Sequence, residues 1–292
     1  MGIMDGMKKG VTESLIHLHE HSQTSSLSDP EYLSCENCGT LVQRMFIPFL
    51  KKYVYPKCQC QMAIFKKEQE DLERANRRTS LDRIYRHNIM NDDLKKASFD
   101  NFIARPGTET IFKTTLDYAN NFANKNKGLL GFGDPGNGKS HLFAAIHHVL
   151  DRKGYVSLFI DCTQLFNIAE EARKSRSQVS INSIVQAAIE CDLLTLDEIG
   201  TGKMTQDDYD TLFPIINGRQ GKKTNYTTNL NLDELTVWLS TDKYGKTMDN
   251  KGRVVDRIIG SCDIVENKGT SKRKEDTMNR IQALNGRRMT DD

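Results

Sequence analysis

The most constraining feature of this sequence is the run GFGDPGNGKS at residues 131–140. An apolar segment, GLLGF, leads into it, and an amphipathic stretch from Lys139 to Arg152 follows it. Glycines at such positions let successive backbone N–H groups turn inward around phosphate oxygens, and the helix start adds the positive end of its dipole. The strand–loop–helix pattern therefore predicts a site for nucleotide phosphates.

The loop assigns separate roles to its residues. Lys139 is predicted to reach the β- and γ-phosphates of ATP, and the Ser140 hydroxyl is predicted to ligate Mg²⁺. The other predicted nucleotide contacts are Gly133, Pro135, Gly136, Asn137, Gly138 and His141.

Two later segments supply the polar groups that phosphoryl transfer needs. LLTLDEIG, at residues 193–200, places Asp197 at the end of an apolar strand, where it can reach the metal, and Glu198 beside it as the candidate to polarise a water. A strand that merely ends in a solvated acidic turn is the alternative. Asn229 follows the segment TNYTT and is predicted to orient the same water, although an Asn there is also common in turns.

Short apolar segments alternate with amphipathic ones from residue 92 onward, which predicts an α/β fold with a parallel sheet covered by helices on both faces. We therefore predict an N-terminal domain over residues 1–91 and an ATPase domain over residues 92–292. The predicted strands cover residues 128–132, 155–160, 193–197 and 224–228. The main predicted helices cover residues 108–125, 139–152, 207–219, 232–240 and 251–259.

The N-terminal part carries two cysteine pairs, Cys35-x2-Cys38 and Cys58-x-Cys60. Four sulfurs are enough for one tetrahedral Zn²⁺ site, and such a site is structural because no position is left for substrate. Free structural thiols are the alternative. Helices are predicted over residues 11–22 and after Cys60, the second with a possible break near Thr79, so we expect a small, helix-rich zinc-binding domain.

Composition limits the possible partners. Lys and Arg number 41 against 39 Asp and Glu, so no global field attracts nucleic acid or anionic lipid. Contact with single-stranded DNA must then come from a local cluster, and Arg173, Lys174 and Arg176 form the best candidate; an ordinary solvated helix end is the alternative. Neither a membrane span nor an export signal is recognisable, and we expect a cytoplasmic protein.

Five segments in order, GFGDPGNGKSHL, LLTLDEIG, TTNLNLDEL, GRVVDRI and SKRKE, resemble the DnaC/DnaI-type loaders of the replicative helicase. The resemblance implies an AAA+ core that hydrolyses ATP and self-associates. It implies that Arg253 is the arginine finger acting on a neighbouring subunit and that Arg273 is the second sensor. It also implies a core that handles single-stranded DNA and a zinc-binding N-terminal domain, of the DnaI type, that grips the hexameric replicative helicase of the primosome.

Two other functions remain open from the sequence. A transposition helper ATPase of the IstB type has the same core but acts on duplex DNA with a transposase; the cysteine pairs favour the loader. A binding adaptor that uses nucleotide only as a conformational latch is the other possibility. Glu198 and Arg253 argue against it, because a latch needs neither residue.

Overall fold

The computed structural model describes residues 23–25, 30–85, 90–174, 177, 179–249 and 251–288. The chain divides into two compact units, residues 1–73 and residues 74–292. The helix predicted over residues 11–22 lies outside the described residues. None of the helices in the described ranges is both long and apolar enough to cross a bilayer.

The first unit contains short antiparallel strands ahead of a long helix. Strands β2 and β3 form a hairpin, and β1, β5 and β4 form a three-stranded sheet in that order. Each strand has three or four residues, too few to give a readable alternation in sequence, so they were not predicted. The strands are β1 (Gln23–Ser25), β2 (Tyr32–Ser34), β3 (Leu41–Gln43), β4 (Met45–Ile47) and β5 (Lys52–Tyr55).

The long helix α1 (Gln59–Tyr85) follows the strands and contributes residues to both units. Its last turns bury Leu81, Ile84 and Tyr85 in the hydrophobic core of the second unit, and the Tyr85 hydroxyl donates to the Ile184 carbonyl at 2.6 Å. The division between residues 73 and 74 falls inside this helix. The predicted domain boundary after residue 91 stays a prediction. The helix also runs unbroken past Thr79, whose hydroxyl donates to the carbonyl four residues earlier at 3.0 Å.

The second unit is built on a five-stranded parallel sheet with the order β10-β6-β9-β8-β7. Three of the four predicted strands have the predicted bounds, and β7 begins two residues later than expected. The edge strand β10 was not predicted, since its sequence CDIVE mixes acids with apolar residues. The strands are β6 (Gly128–Phe132), β7 (Ser157–Asp161), β8 (Leu193–Asp197), β9 (Thr224–Thr228) and β10 (Cys262–Glu266).

Helices flank this sheet, and two hydrophobic clusters fill the space around it. The predicted α/β fold of the core is confirmed. Because all five strands are parallel, their carboxyl ends share one edge, where such sheets place ligands. The helices are α2 (Asp92–Lys95), α3 (Glu109–Asn120), α4 (Lys139–Arg152), α5 (Cys162–Arg173), α6 (Ile181–Glu190), α7 (Gln206–Gly218), α8 (Leu232–Ser240), α9 (Arg253–Ser261) and α10 (Lys272–Arg288).

Candidate nucleotide site and cysteine cluster

The phosphate loop, residues 133–140, joins β6 to α4. Gly133 and Gly138 have φ angles of 132° and 99°, which disfavour any residue with a side chain. A Cβ at Gly133 would lie 2.3 Å from the Asn267 carbonyl oxygen, and one at Gly138 would lie 2.7 Å from the Phe102 ring. Gly138 is also the N-cap of α4 and has no side chain to cap it, so the first N–H groups of the helix remain available to an anion.

The side chain of Lys139 folds back into the loop. Its ammonium donates to the Gly133 and Asp134 carbonyls at 2.6 and 2.8 Å, to Asn137 Oδ1 at 3.2 Å and to Asn229 Oδ1 at 2.9 Å. Only 5% of the residue is exposed, and this burial lowers the pKa of Lys139 to about 8. The predicted Lys139 and Asn229 are thus brought together from elements 90 positions apart.

Asp197 ends β8 beside the phosphate loop and is buried. Its carboxylate accepts the Thr227 hydroxyl at 2.5 Å and forms a second hydrogen bond with the side chain of Ser140. Burial raises the pKa of Asp197 to about 7, against the opposing effect of these two hydrogen bonds. The hydroxyl and carboxylate predicted to ligate Mg²⁺ are therefore neighbours, and both are oxygen donors of the kind that Mg²⁺ prefers.

Glu198 follows directly and adopts a left-handed conformation with φ of 55°. Such a conformation is uncommon for a residue with a side chain and costs of order 1 kcal/mol, so the surroundings must hold it. The Glu198 N–H donates to Thr227 Oγ1 at 2.9 Å, so one hydroxyl holds both acidic residues.

Sequence reasoning missed Thr227. The available signal was the number of polar residues in a strand at the centre of the sheet, because a buried polar group needs a partner. The buried polar residues of β9 are Thr224, Asn225, Thr227 and Thr228.

The raised pKa of Asp197 predicts a stability effect for Asp197→Asn. The unfolded carboxyl ionises near its ordinary value of 3.8, whereas the folded one ionises near 7, so folding disfavours the charge increasingly as the pH rises between these values. In EDTA the variant should melt higher than wild type by roughly 2–4 °C or more at pH 8, with a smaller difference at pH 5. Melting curves across this pH range test it, and a difference independent of pH would contradict it.

The remaining predicted nucleotide contacts occupy different surroundings. Asn137 is fully buried within the loop, whereas Pro135 is exposed. His141 Nε2 is 2.9 Å from the Ser98 carbonyl oxygen, so its ring faces the segment before the core. Arg273 lies on the exposed first turn of α10, and the preceding N–H, that of Lys272, donates to the Gly136 carbonyl at 3.0 Å. The start of α10 therefore abuts the phosphate loop.

Arg253 is the first residue of α9, and 58% of its side chain is exposed. Its Nε lies 3.7 Å from Asp249 Oδ1, and the same carboxylate accepts the Val254 N–H at 2.8 Å, which fixes the start of the helix. Arg257, one helical turn after Arg253, lies over the Phe213 ring at 5.3 Å and is half-buried. Of the two arginines, Arg253 is the more accessible to another molecule.

The predicted DNA cluster is only partly described. Arg173 Nη2 donates to the Asp207 carbonyl at 2.6 Å and to Thr211 Oγ1 at 2.8 Å, so this arginine ties α5 to α7. Lys174 is exposed, with its Nζ 4.0 Å from Glu170, and Arg176 lies outside the described residues. The contact of this cluster with DNA stays a prediction.

The four cysteines of the first unit lie together, with all Sγ atoms within 4.8 Å of one another. Cys35 and Cys38 occupy the turn between β2 and β3, and Cys58 and Cys60 lie at the start of α1. Four Sγ pairs are separated by 3.1, 3.2, 3.6 and 3.7 Å. Sulfurs around one tetrahedral zinc ion are about 3.8 Å apart, since each Zn–S bond is about 2.3 Å. The cluster therefore fits the predicted structural zinc site.

Removal of one sulfur should abolish this site. We expect Cys58→Ala to lower the zinc content from one ion per chain to nearly none and to make residues 30–57 sensitive to protease, because structural zinc sites contribute folding energy. Zinc released to a colorimetric chelator and limited proteolysis measure both effects. Cys162→Ala is the matched control: this thiol is buried in the core of the second unit. The zinc content of Cys162→Ala should equal that of wild type. A wild-type zinc content in Cys58→Ala would contradict the assignment of Cys58 as a zinc ligand.

The model of a known family, the IstB-like ATP binding proteins, matches residues 63–280. The chain belongs to the IstB-like ATP-binding family. This IstB-like protein is 26% identical over 216 residues to the replicative helicase loader DnaC of Escherichia coli (strain K12). The aligned region covers 70% of this chain and 86% of DnaC. It is 28% identical over 157 residues to a putative insertion sequence ATP-binding protein of Sinorhizobium fredii. This second aligned region covers 54% of this chain and 51% of that protein.

Solved structures agree on the fold of this IstB-like protein. The crystal structure of the DnaC helicase loader superimposes with a TM-score of 0.51 at 21% identity, over 61% of this chain and 100% of that one. AMPPCP-bound DnaA from Aquifex aeolicus gives 0.51 at 19% identity, over 68% and 57%. The predicted AAA+ fold of the core and the predicted resemblance to DnaC/DnaI-type loaders are confirmed, and a putative insertion sequence ATP-binding protein matches as well.

Proposed function

We propose that this protein is an ATP-dependent loader that binds the replicative DNA helicase and delivers it onto single-stranded DNA at the initiation of replication. The observation that carries the proposal is how much of each relative the chain matches. The alignment with DnaC includes 86% of that loader, whereas the alignment with the insertion sequence protein includes 51% of that protein. The cytoplasm is the compartment in which we expect it to act.

ATP hydrolysis is the chemistry that the second unit supports best. Lys139 and the free N–H groups of the phosphate loop would hold the phosphates, and Ser140 and Asp197 would hold Mg²⁺, which neutralises phosphate charge when bound. Glu198 is the proposed base for the attacking water. Asn229, which already accepts a hydrogen bond from Lys139, is the proposed group that orients this water.

The exposed position of Arg253 supports a nucleotide site completed by a second copy of the chain. An arginine of one subunit that reaches the γ-phosphate of its neighbour neutralises charge only after assembly. Arg273 on α10 is the proposed sensor within the same subunit, since the start of this helix contacts Gly136. ATP hydrolysis would then be fast only in assembled subunits.

The two units would divide the contacts with partners. The zinc-binding unit is the proposed grip on the hexameric helicase. The cluster of Arg173, Lys174 and Arg176 is the proposed contact with single-stranded DNA, which needs basic side chains along the strand. In this division, Arg173 also has a structural role between α5 and α7.

A transposition helper ATPase is the second candidate, because the chain also matches the insertion sequence protein of Sinorhizobium fredii. The four-cysteine cluster supports the loader over this rival. All four cysteines precede residue 63, where the match to the IstB-like family begins, so the cluster adds a module to the shared core.

Capture of the replicative helicase tests the proposal. The immobilised protein should retain the replicative helicase of the same organism in the presence of ATP and Mg²⁺, and Cys58→Ala should retain much less. Cys162→Ala, which keeps the cluster, should behave like wild type. Failure to retain the helicase with or without ATP, together with ATP-dependent retention of a transposase, would favour the second candidate.

A further inference from the structure

The backbone carbonyl of Asn137, inside the phosphate loop, accepts two hydrogen bonds from side chains outside the loop. Arg105 Nη2 donates to it at 2.8 Å, and Asn267 Nδ2 donates to it at 3.1 Å. All three residues are buried, with exposed fractions of 0% for Asn137, 8% for Arg105 and 2% for Asn267. Two distant segments of the chain therefore converge on one peptide group of the loop.

The contact with Asn267 is reciprocal. The Asn137 side-chain amide donates to the Asn267 carbonyl at 2.9 Å, and its Oδ1 accepts from Lys139 at 3.2 Å. Asn267 is itself held at the end of β10, where its N–H donates to the Phe132 carbonyl at 2.8 Å. This network joins the loop to the segment that leads into α10, the helix of Arg273.

Arg105 is held by the turn that it begins. Its N–H donates to Thr108 Oγ1 at 3.0 Å, and the same hydroxyl donates back to the Arg105 carbonyl at 2.7 Å. The turn at 105–108 packs against the segment after β10, since a Cβ at Gly269 would lie 2.3 Å from Thr108 Cγ2. The guanidinium thus has a fixed position behind the loop.

The charge of Arg105 is uncompensated within the described part of the chain. The structure gives its guanidinium no carboxylate partner there, and its buried Nε has no hydrogen-bond acceptor. A buried cation without an anion is costly, so such groups are normally paired. The neighbouring phosphate loop is where an anionic ligand would supply the missing charge.

A trans peptide plane points its C=O and N–H in opposite directions. The two donors on the Asn137 carbonyl therefore fix the direction of the Gly138 N–H as well. We propose that Arg105 and Asn267 are positioning residues that hold this carbonyl outside the loop, so that the Gly138 N–H faces the phosphates of ATP. Arg105 also places a positive charge behind the phosphates. This inference rests on the proposed ATP site.

Arg105→Met is the main test, because methionine keeps an unbranched apolar side chain but removes the donors and the charge. Titration of the full chain with a fluorescent ADP analogue should give a Kd raised roughly tenfold or more, since a charged hydrogen bond and a nearby charge are lost. Arg105→Lys, which retains the charge and a donor, should recover part of the affinity. Asn267→Ala removes the second donor and should weaken binding in the same direction.

Arg219→Met is the matched control. Arg219 is also a buried arginine, 2% exposed, and donates to the Ala188 and Cys191 carbonyls at 2.8 and 3.0 Å. Its replacement should lower the melting temperature and leave the nucleotide Kd of the folded protein unchanged. Arg105→Met should instead shrink the rise in melting temperature that saturating ADP produces in wild type.

The outcomes separate the inference from the proposal on which it rests. Wild-type affinity in folded Arg105→Met and Asn267→Ala would overturn the positioning role and leave the ATP site in place. Equal destabilisation by Arg105→Met and Arg219→Met with unchanged Kd would make Arg105 a structural residue only. A wild-type chain that binds no nucleotide would remove the proposed ATP site and this inference together.

Discussion

Lys139→Ala is expected to lose most of its ATP binding at an ATP concentration about tenfold above the wild-type Kd. The ammonium lies inside the phosphate loop, held by the Gly133 and Asp134 carbonyls and by Asn229 Oδ1. Its removal takes away the cation that would meet the phosphates, and a lost charge-assisted contact to a partly buried ligand weakens binding by about a hundredfold. Calorimetric titration with ATP and Mg²⁺ measures the effect.

Lys153→Ala is the matched control for this experiment. Lys139 begins helix α4, and Lys153 is the residue directly after its last residue. The Lys153 ammonium also donates to backbone carbonyls, those of Ala119 and Asn120, both at 2.9 Å. Its removal should leave the ATP affinity unchanged, because these carbonyls belong to α3. Wild-type affinity in Lys139→Ala would mean that the phosphates bind elsewhere.

Arg253→Ala is expected to retain nucleotide binding and to lose the hydrolysis that assembly stimulates. The side chain is 58% exposed, and its proposed target is the γ-phosphate held by a neighbouring copy. Arginine fingers supplied in trans contribute roughly 10³–10⁵-fold to turnover, so the loss in the assembled state should be at least about a thousandfold. Phosphate release at increasing protein concentration measures it, with Lys251→Ala, another exposed cation beside α9, as the control.

Mixing two inactive variants sharpens this test. Lys139→Ala subunits cannot hold ATP but still carry Arg253, whereas Arg253→Ala subunits hold ATP but lack the finger. Mixed assemblies should therefore regain hydrolysis at interfaces where the first variant faces the nucleotide of the second. Unchanged turnover in assembled Arg253→Ala, or no recovery on mixing, would remove the assignment of the finger.

Local patterns were sufficient to predict the centre of the fold. The bounds of β6 and β8 follow from short runs in which an apolar segment meets glycines or acids, and Lys139 and Asp197 lie in or next to these runs. The edge strand β10 escaped prediction because its acids, Asp263 and Glu266, interrupt the apolar pattern that marks a buried strand.

Contacts between distant segments could not be predicted in this way. The Tyr85 hydroxyl donates to a carbonyl 99 residues later, and the Asn137–Asn267 pair spans 130 residues. A polar residue before a turn looks the same in sequence whether it faces solvent or a buried carbonyl. Thr227 is the intermediate case, because polar residues in a central strand do signal buried partners.

Helicase loading is the measurement that tests the central claim most directly. The replicative helicase of the same organism is added to circular single-stranded DNA carrying an annealed strand, and displacement of that strand is followed with and without this protein. The proposed function predicts that wild-type protein with ATP raises the rate of displacement severalfold or more, and that Lys139→Ala and Cys58→Ala do not. Displacement that is equally fast without the protein, or unchanged by either substitution, would contradict a loader that depends on ATP and on the zinc-binding unit.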